Sequence, residues 1–159
     1  MANAVKLFLL FIAATILHWG LMTVLGGAGV NLNMMLVFAC AVCACLGPQY
    51  GYPTAFICGL FLDFFGIKLF GNHAFVFTLC ACMMYGLDKR LDFDAPVPQM
   101  ASILVLSLFS ALFNAVLLHV FAGFSSWAGI GSWLGGAVCN ALTAPFVFWT
   151  VRRTFKRER

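Results

Sequence analysis

Between Lys6 and Asp63 the chain carries no charged side chain, and between Asp94 and Arg152 it carries none again. A soluble fold draws on ionised groups along its whole length to cover its surface, so two such runs leave few outcomes. Only 9% of the residues are charged and 64% are hydrophobic, against about 25% and about half in soluble domains. Lipid must therefore be the solvent for most of this surface. A length of 159 residues leaves room for one compact unit with little outside the membrane.

A helix needs about 20 apolar residues to cross a hydrocarbon core of about 30 Å. Glycine, proline and charge clusters divide the chain into six candidate helical spans, at roughly 6–25, 32–47, 49–66, 72–88, 100–123 and 130–151. The reading is thus an all-α polytopic membrane protein, with residues 1–159 as one membrane domain that includes a basic tail at 152–159. The stretch GPQYGYP leaves almost no loop between the second and third spans. They are either a tight hairpin of two full crossings or a re-entrant pair. Residues 7–25 are too long for a signal-peptide core and no A-x-A-like site follows, so this segment is expected to remain as an anchor.

Charge sets the orientation. With the N-terminus inside, Lys6, Lys89, Arg90, Arg152, Arg153, Lys156, Arg157 and Arg159 fall on the cytoplasmic side, and only Lys68 falls outside. That asymmetry predicts both termini in the cytoplasm. Tyr50, Tyr52, Tyr85 and Trp149 then lie near inner ends, and Trp127 and Trp133 near outer ends, as an interfacial belt requires. The net charge of +4 is no nucleic-acid footprint, because five of the nine basic residues sit in the closing RRTFKRER, where membrane lipid headgroups are the natural partner. The loop DKRLDFDAPVPQ reads as a solvated cytoplasmic turn, with partner docking as the lesser alternative.

All seven cysteines lie in apolar runs, where cysteine behaves as a small hydrophobe. Cys40-x-x-Cys43 has a redox or zinc spacing but no second pair, so no metal or cofactor is expected. No serine or cysteine has a neighbouring base, no span holds a carboxylate pair, and no glycine loop suits a phosphate. The sequence therefore predicts no catalytic residues.

Helices in lipid associate through small residues and a few hydrogen bonds. Gly47, Gly51, Ala55 and Gly59 recur at intervals of four and end on Asp63, which predicts a close helix contact with Asp63 at its edge, turned toward neighbouring helices. Asn114 and Asn140 fall at similar depth near the midplane and are expected to hydrogen-bond across the hairpin of the last two spans. A second polar set gathers in the outer half: His18, Asp63, Lys68, Asn72, His73 and His119. Ionisable groups inside a membrane are functional candidates by default. The set reads as a metal site, a ligand pocket, a protein-contact surface or, most simply, a helix junction. In that last reading Asp63 pairs with Lys68, a histidine or water, and Asn72 caps the fourth span.

Gly47, Gly51, the run Gly59-Leu60-x-x-Asp63, and then Gly71-x-His73-Ala74 resemble the pattern of the rod shape-determining protein MreD family. The motif covers roughly residues 33 to 86, and Asn33 stands where that family often opens the second span with proline. The resemblance implies a fold similar to the six-helix substrate-binding subunits of energy-coupling-factor vitamin transporters. It also implies a non-enzymatic subunit of the bacterial inner membrane, acting with MreC on a RodA-like SEDS glycosyltransferase and a class B penicillin-binding protein. In that setting Gly47, Gly51, Ala55, Gly59, Asp63 and Gly71 would serve helix packing or partner contact. The competing expectation is a vitamin-binding transporter subunit, for which the outer polar set would be the pocket.

Overall fold

The computed structural model describes residues 2–26, 32–66, 69–123 and 130–155. Six helices form these stretches: α1 (Ala2–Leu25), α2 (Met34–Leu46), α3 (Pro48–Phe65), α4 (Asn72–Asp88), α5 (Pro96–Ala122) and α6 (Ile130–Phe155). Their boundaries follow local chemistry. Ala95, held extended before Pro96, lets α5 begin on a proline whose missing N–H would have been unpaired in any case. Gly123, at φ 61°, ends the same helix in the left-handed region that glycine enters without strain.

α1, α5 and α6 are long and apolar enough to cross a membrane. α2 is not a span of the expected length. Its 13 residues reach only about 20 Å at about 1.5 Å per residue, and every side chain from Met34 to Cys43 is buried. Apolar runs this short belong to protein cores rather than to the lipid boundary. α2 packs against α3, α4, α6 and α1, and so forms the axis of the bundle. α1 lies at the periphery, where the buried side chains are Ala14 and His18 and most of the others face outward.

Two glycines of the small-residue line bring α3 against its neighbours. A Cβ on Gly51 would stand 2.6 Å from the Cα of Cys43 on α2, and one on Gly59 would stand 2.4 Å from the Cα of Ala74 on α4. Ala55, between them, is fully buried. Gly47 and Gly71, expected in the same packing set, do other work. Both have positive φ, 82° and 89°, and a Cβ on either would meet nothing within 4 Å. Gly47 is the single residue separating α2 from α3, so it reverses the chain, and Gly71 stands just ahead of α4.

At the opposite end of the molecule the 89–95 connection is not the freely solvated turn that its charges suggested. Phe93 is buried and stacks on Phe148 of α6, ring centroids 6.0 Å apart. Its carbonyl accepts from Gln99 Nε2 at 2.6 Å and from Arg152 Nη2 at 2.5 Å, while Arg152 Nη1 reaches the Asp94 carboxylate at 2.6 Å. Asp92 and Asp94 remain exposed on either side of the buried ring.

The glycine contacts predict an asymmetry. Gly59→Ala should cost about 1–3 kcal/mol, because backbone atoms of α4 must move to admit the methyl group. Gly86→Ala, on a face of α4 where a Cβ meets nothing within 4 Å, should leave the melting temperature unchanged or slightly higher. Thermal unfolding of both variants in one detergent measures the difference.

Candidate functional site

The first N–H groups of a helix have no partner within it. α4 meets this need in an unusual way, because Gly71 at its N-cap has no side chain to offer. The acceptor comes from the last turn of α3. Asp63 Oδ1 accepts from the backbone N–H of His73 at 2.9 Å, and Oδ2 accepts from that of Ala74 at 3.0 Å. His73 and Ala74 are the second and third residues of α4, the two N–H groups that a capping side chain ordinarily takes. A third bond joins Asp63 Oδ1 to His73 Nδ1 at 2.7 Å. An ionised carboxylate only accepts, so Nδ1 carries the proton and Nε2 is left for other contacts.

Asp63 is 3% exposed. Burying a carboxylate costs several kcal/mol, and three charge-assisted bonds at the positive end of a helix dipole offset that cost. The small-residue line explains the geometry. Gly59 lets α3 approach α4 until its would-be Cβ meets the His73 carbonyl, and one turn later Asp63 arrives at the exposed N–H groups. Close packing and capping are thus one arrangement.

Asn72 does not cap α4. It is the first helical residue, is buried, and its Nδ2 donates to Asn114 Oδ1 of α5 at 2.7 Å. The expected bond between Asn114 and Asn140 is absent. Asn140 instead accepts the backbone N–H of Asn33 at 2.8 Å and donates to Ser107 Oγ at 3.1 Å. The reason lies in the start of α2, whose free backbone N–H groups end against α6 and claim the acceptor there. Asn33 caps this helix itself, its Oδ1 accepting from Leu36 N at 3.2 Å. Asn33 was not among the expected site residues, although an asparagine just before an apolar helical run is an N-cap signature.

Asn114 and Asn140 nevertheless share a cavity of about 80 Å³ with Asn33, His73, Ser107, Ser110 and Trp133. This polar chamber is lined from the α2 entry, α4, α5 and α6, and His73, the partner of Asp63, forms part of its wall. Of the other expected members, His18 is buried on α1 with no partner for Nδ1 among the described residues, and it lies within electrostatic reach of His73. His119 is exposed near the end of α5, away from this group. Lys68 lies outside the described residues. Among the described residues, no three His, Cys, Asp or Glu side chains converge as metal ligands. The cysteines are all free, and the deepest of them, Cys40, Cys43, Cys58 and Cys80, belong to the apolar core.

Two measurements follow from these bonds. Asp63→Asn should still insert but should lose about 1.5–3 kcal/mol of stability, because an amide brings an N–H where Asp63 presents only acceptors. Melting of the purified variant reads this directly. In double-mutant cycles to leucine, Asn72 and Asn114 should couple by about 0.6 kcal/mol, the usual size of such bonds in membranes. Asn114 and Asn140 should be additive within the error of the melts.

A protein-family model described as rod shape-determining protein MreD matches residues 2–152. No curated protein and no solved structure matches the chain, so the expected likeness to vitamin-transporter subunits has no solved counterpart here. The family match spans all six helices, including the Asp63–His73 tie and the polar cavity beside it. On that ground the chain belongs to the rod shape-determining protein MreD family.

Proposed function

We propose that this chain is a non-catalytic scaffold and regulator of the complex that elongates the bacterial cell wall. It works in the inner membrane with both termini cytoplasmic, in company with MreC, a RodA-like SEDS glycosyltransferase and a class B penicillin-binding protein. The observation that carries this reading is the family match over residues 2–152, which implies a role in rod shape determination. The use of the polar groups supports it. Asp63, Asn140 and Asn72 are each bound to backbone or side chains of neighbouring helices, which makes a rigid body rather than a reaction centre.

The contact surface for partners is not the Gly51–Ala55–Gly59 line, which α2 and α4 already fill. Apolar faces free to receive partner helices or lipid remain on α1 (Phe8, Ile12, Ile16), α3 (Phe56, Phe64), α5 (Leu112, Val116, Val120) and α6 (Leu134, Val138, Leu142). The vitamin-transporter alternative meets a size limit. Sites for such ligands enclose about 300–1,000 Å³, and the polar cavity holds about 80 Å³.

A mild-detergent pull-down of the tagged chain with mass spectrometry tests the proposal. Recovery of MreC together with the wall synthases is the expected result. Recovery of transporter ATPase subunits in their place would overturn it.

A further inference from the structure

The polar cavity has a hydrogen-bond balance that selects what can occupy it. Asn140 makes one bond at each end, its oxygen accepting from Asn33 N and its nitrogen donating to Ser107 Oγ, which leaves it one N–H. Asn114 has its oxygen taken by Asn72, and Asn33 has its oxygen taken by Leu36 N. In both, the amide nitrogen is left to donate. His73 has Nδ1 committed to Asp63, so in its neutral form Nε2 is an acceptor. Ser110 donates to the Ser107 carbonyl, which leaves its oxygen lone pairs as acceptors. The chamber therefore offers N–H donors from its three amides and acceptors from an imidazole and a hydroxyl.

Charge and size narrow the choice. Asp63 is bound by two backbone N–H groups and an imidazole, and among the described residues no lysine or arginine lines the wall. A bare ion entering this space would lose its hydration with no free counter-charge, at several kcal/mol. At about 80 Å³ the chamber falls well below the 300–1,000 Å³, roughly, of drug-sized ligand sites, which limits it to a small molecule.

We propose that this chamber is a binding site for a small uncharged molecule carrying both a donor and an acceptor, of the carboxamide or urea class. The carbonyl of such a ligand accepts from the Asn33 and Asn114 amides, and its N–H groups donate to His73 Nε2 and Ser110 Oγ. The assignment is independent of the scaffold reading, since it rests only on the lining groups and their spent partners.

The test uses the full chain in lipid nanodiscs with asparagine labelled at the side-chain nitrogen, titrated with acetamide, acetate and methylammonium. These probes share nearly one size and differ in charge. Acetamide should shift the Asn33 and Asn114 amide signals saturably, while the two ions leave them in place at the same concentrations. Ala111→Met fills the chamber without removing a polar group and should weaken acetamide binding at least tenfold. Should that variant fail to fold, Ser110→Ala adds no bulk and should weaken binding about threefold. A cavity that holds water only, giving no saturable shift with acetamide, would overturn the assignment. So would equal shifts from either ion, or acetamide binding undiminished in the folded variants.

Discussion

The fold turns on one carboxylate placed where a helix begins. An N-terminus buried away from water leaves N–H groups that must find acceptors, and in an apolar setting each failure costs free energy comparable to a lost hydrogen bond. Gly71 has no side chain to cap with, and the Asn72 side chain turns to α5, donating from Nδ2 to Asn114 while its Oδ1 has no partner among the described residues. Asp63 supplies both missing acceptors from the preceding helix. The same bonds hold α3 and α4 in register, because the two oxygens reach two successive N–H groups only at one offset. Replacing the carboxylate thus disturbs a helix end and an interhelical contact together.

The beginning of α2 faces the same problem and solves it with neutral groups. Asn33 caps the helix from its own side chain, and Asn140 of α6 accepts the Asn33 N–H itself. Ser107 of α5 then accepts one N–H of Asn140. A helix of 13 residues enclosed by its neighbours is thereby tied to two longer ones at one level. The polar chamber lies next to these ties, since side chains recruited to helix ends bring their unspent halves with them.

Much of this was legible in the sequence, and the exceptions share a cause. Helix number and approximate limits followed from apolar runs broken at Gly47-Pro48, Gly66 to Gly71 and Pro96, because those residues act locally on the backbone. The close approach at Gly51 and Gly59 was legible from spacing alone, and Asp63 one turn further lay on the same face. Partner choice was not legible. Asn114 and Asn140 do sit beside one space, yet each bonds to a residue of α4 or of the α2 entry that pattern reading places no nearer than many others. The central position of α2 was hidden too. A continuous apolar run looks the same whether lipid or protein surrounds it, and only its short length hinted at the answer.

The two ends of the molecule are held by interactions of unlike strength. The Asp63 carboxylate is enclosed, its side chain 1% exposed although that of His73 is 34% exposed, so its bonds to the backbone act with little competition from solvent. The Arg152–Asp94 pair is formally similar, but the Asp94 side chain is 85% exposed. Exposed pairs contribute about 0–1 kcal/mol and weaken with salt. What holds the 89–95 connection is therefore Phe93, buried against Phe148, with its carbonyl shared by Gln99 and Arg152. Burial of such a ring contributes about 1.5–3 kcal/mol where water is the alternative. Arg152 acts there mainly as a donor to a backbone oxygen, and its charge matters less than its reach. The two similar-looking contacts thus divide the molecule into an end whose register depends on a single carboxylate and an end anchored by an aromatic ring.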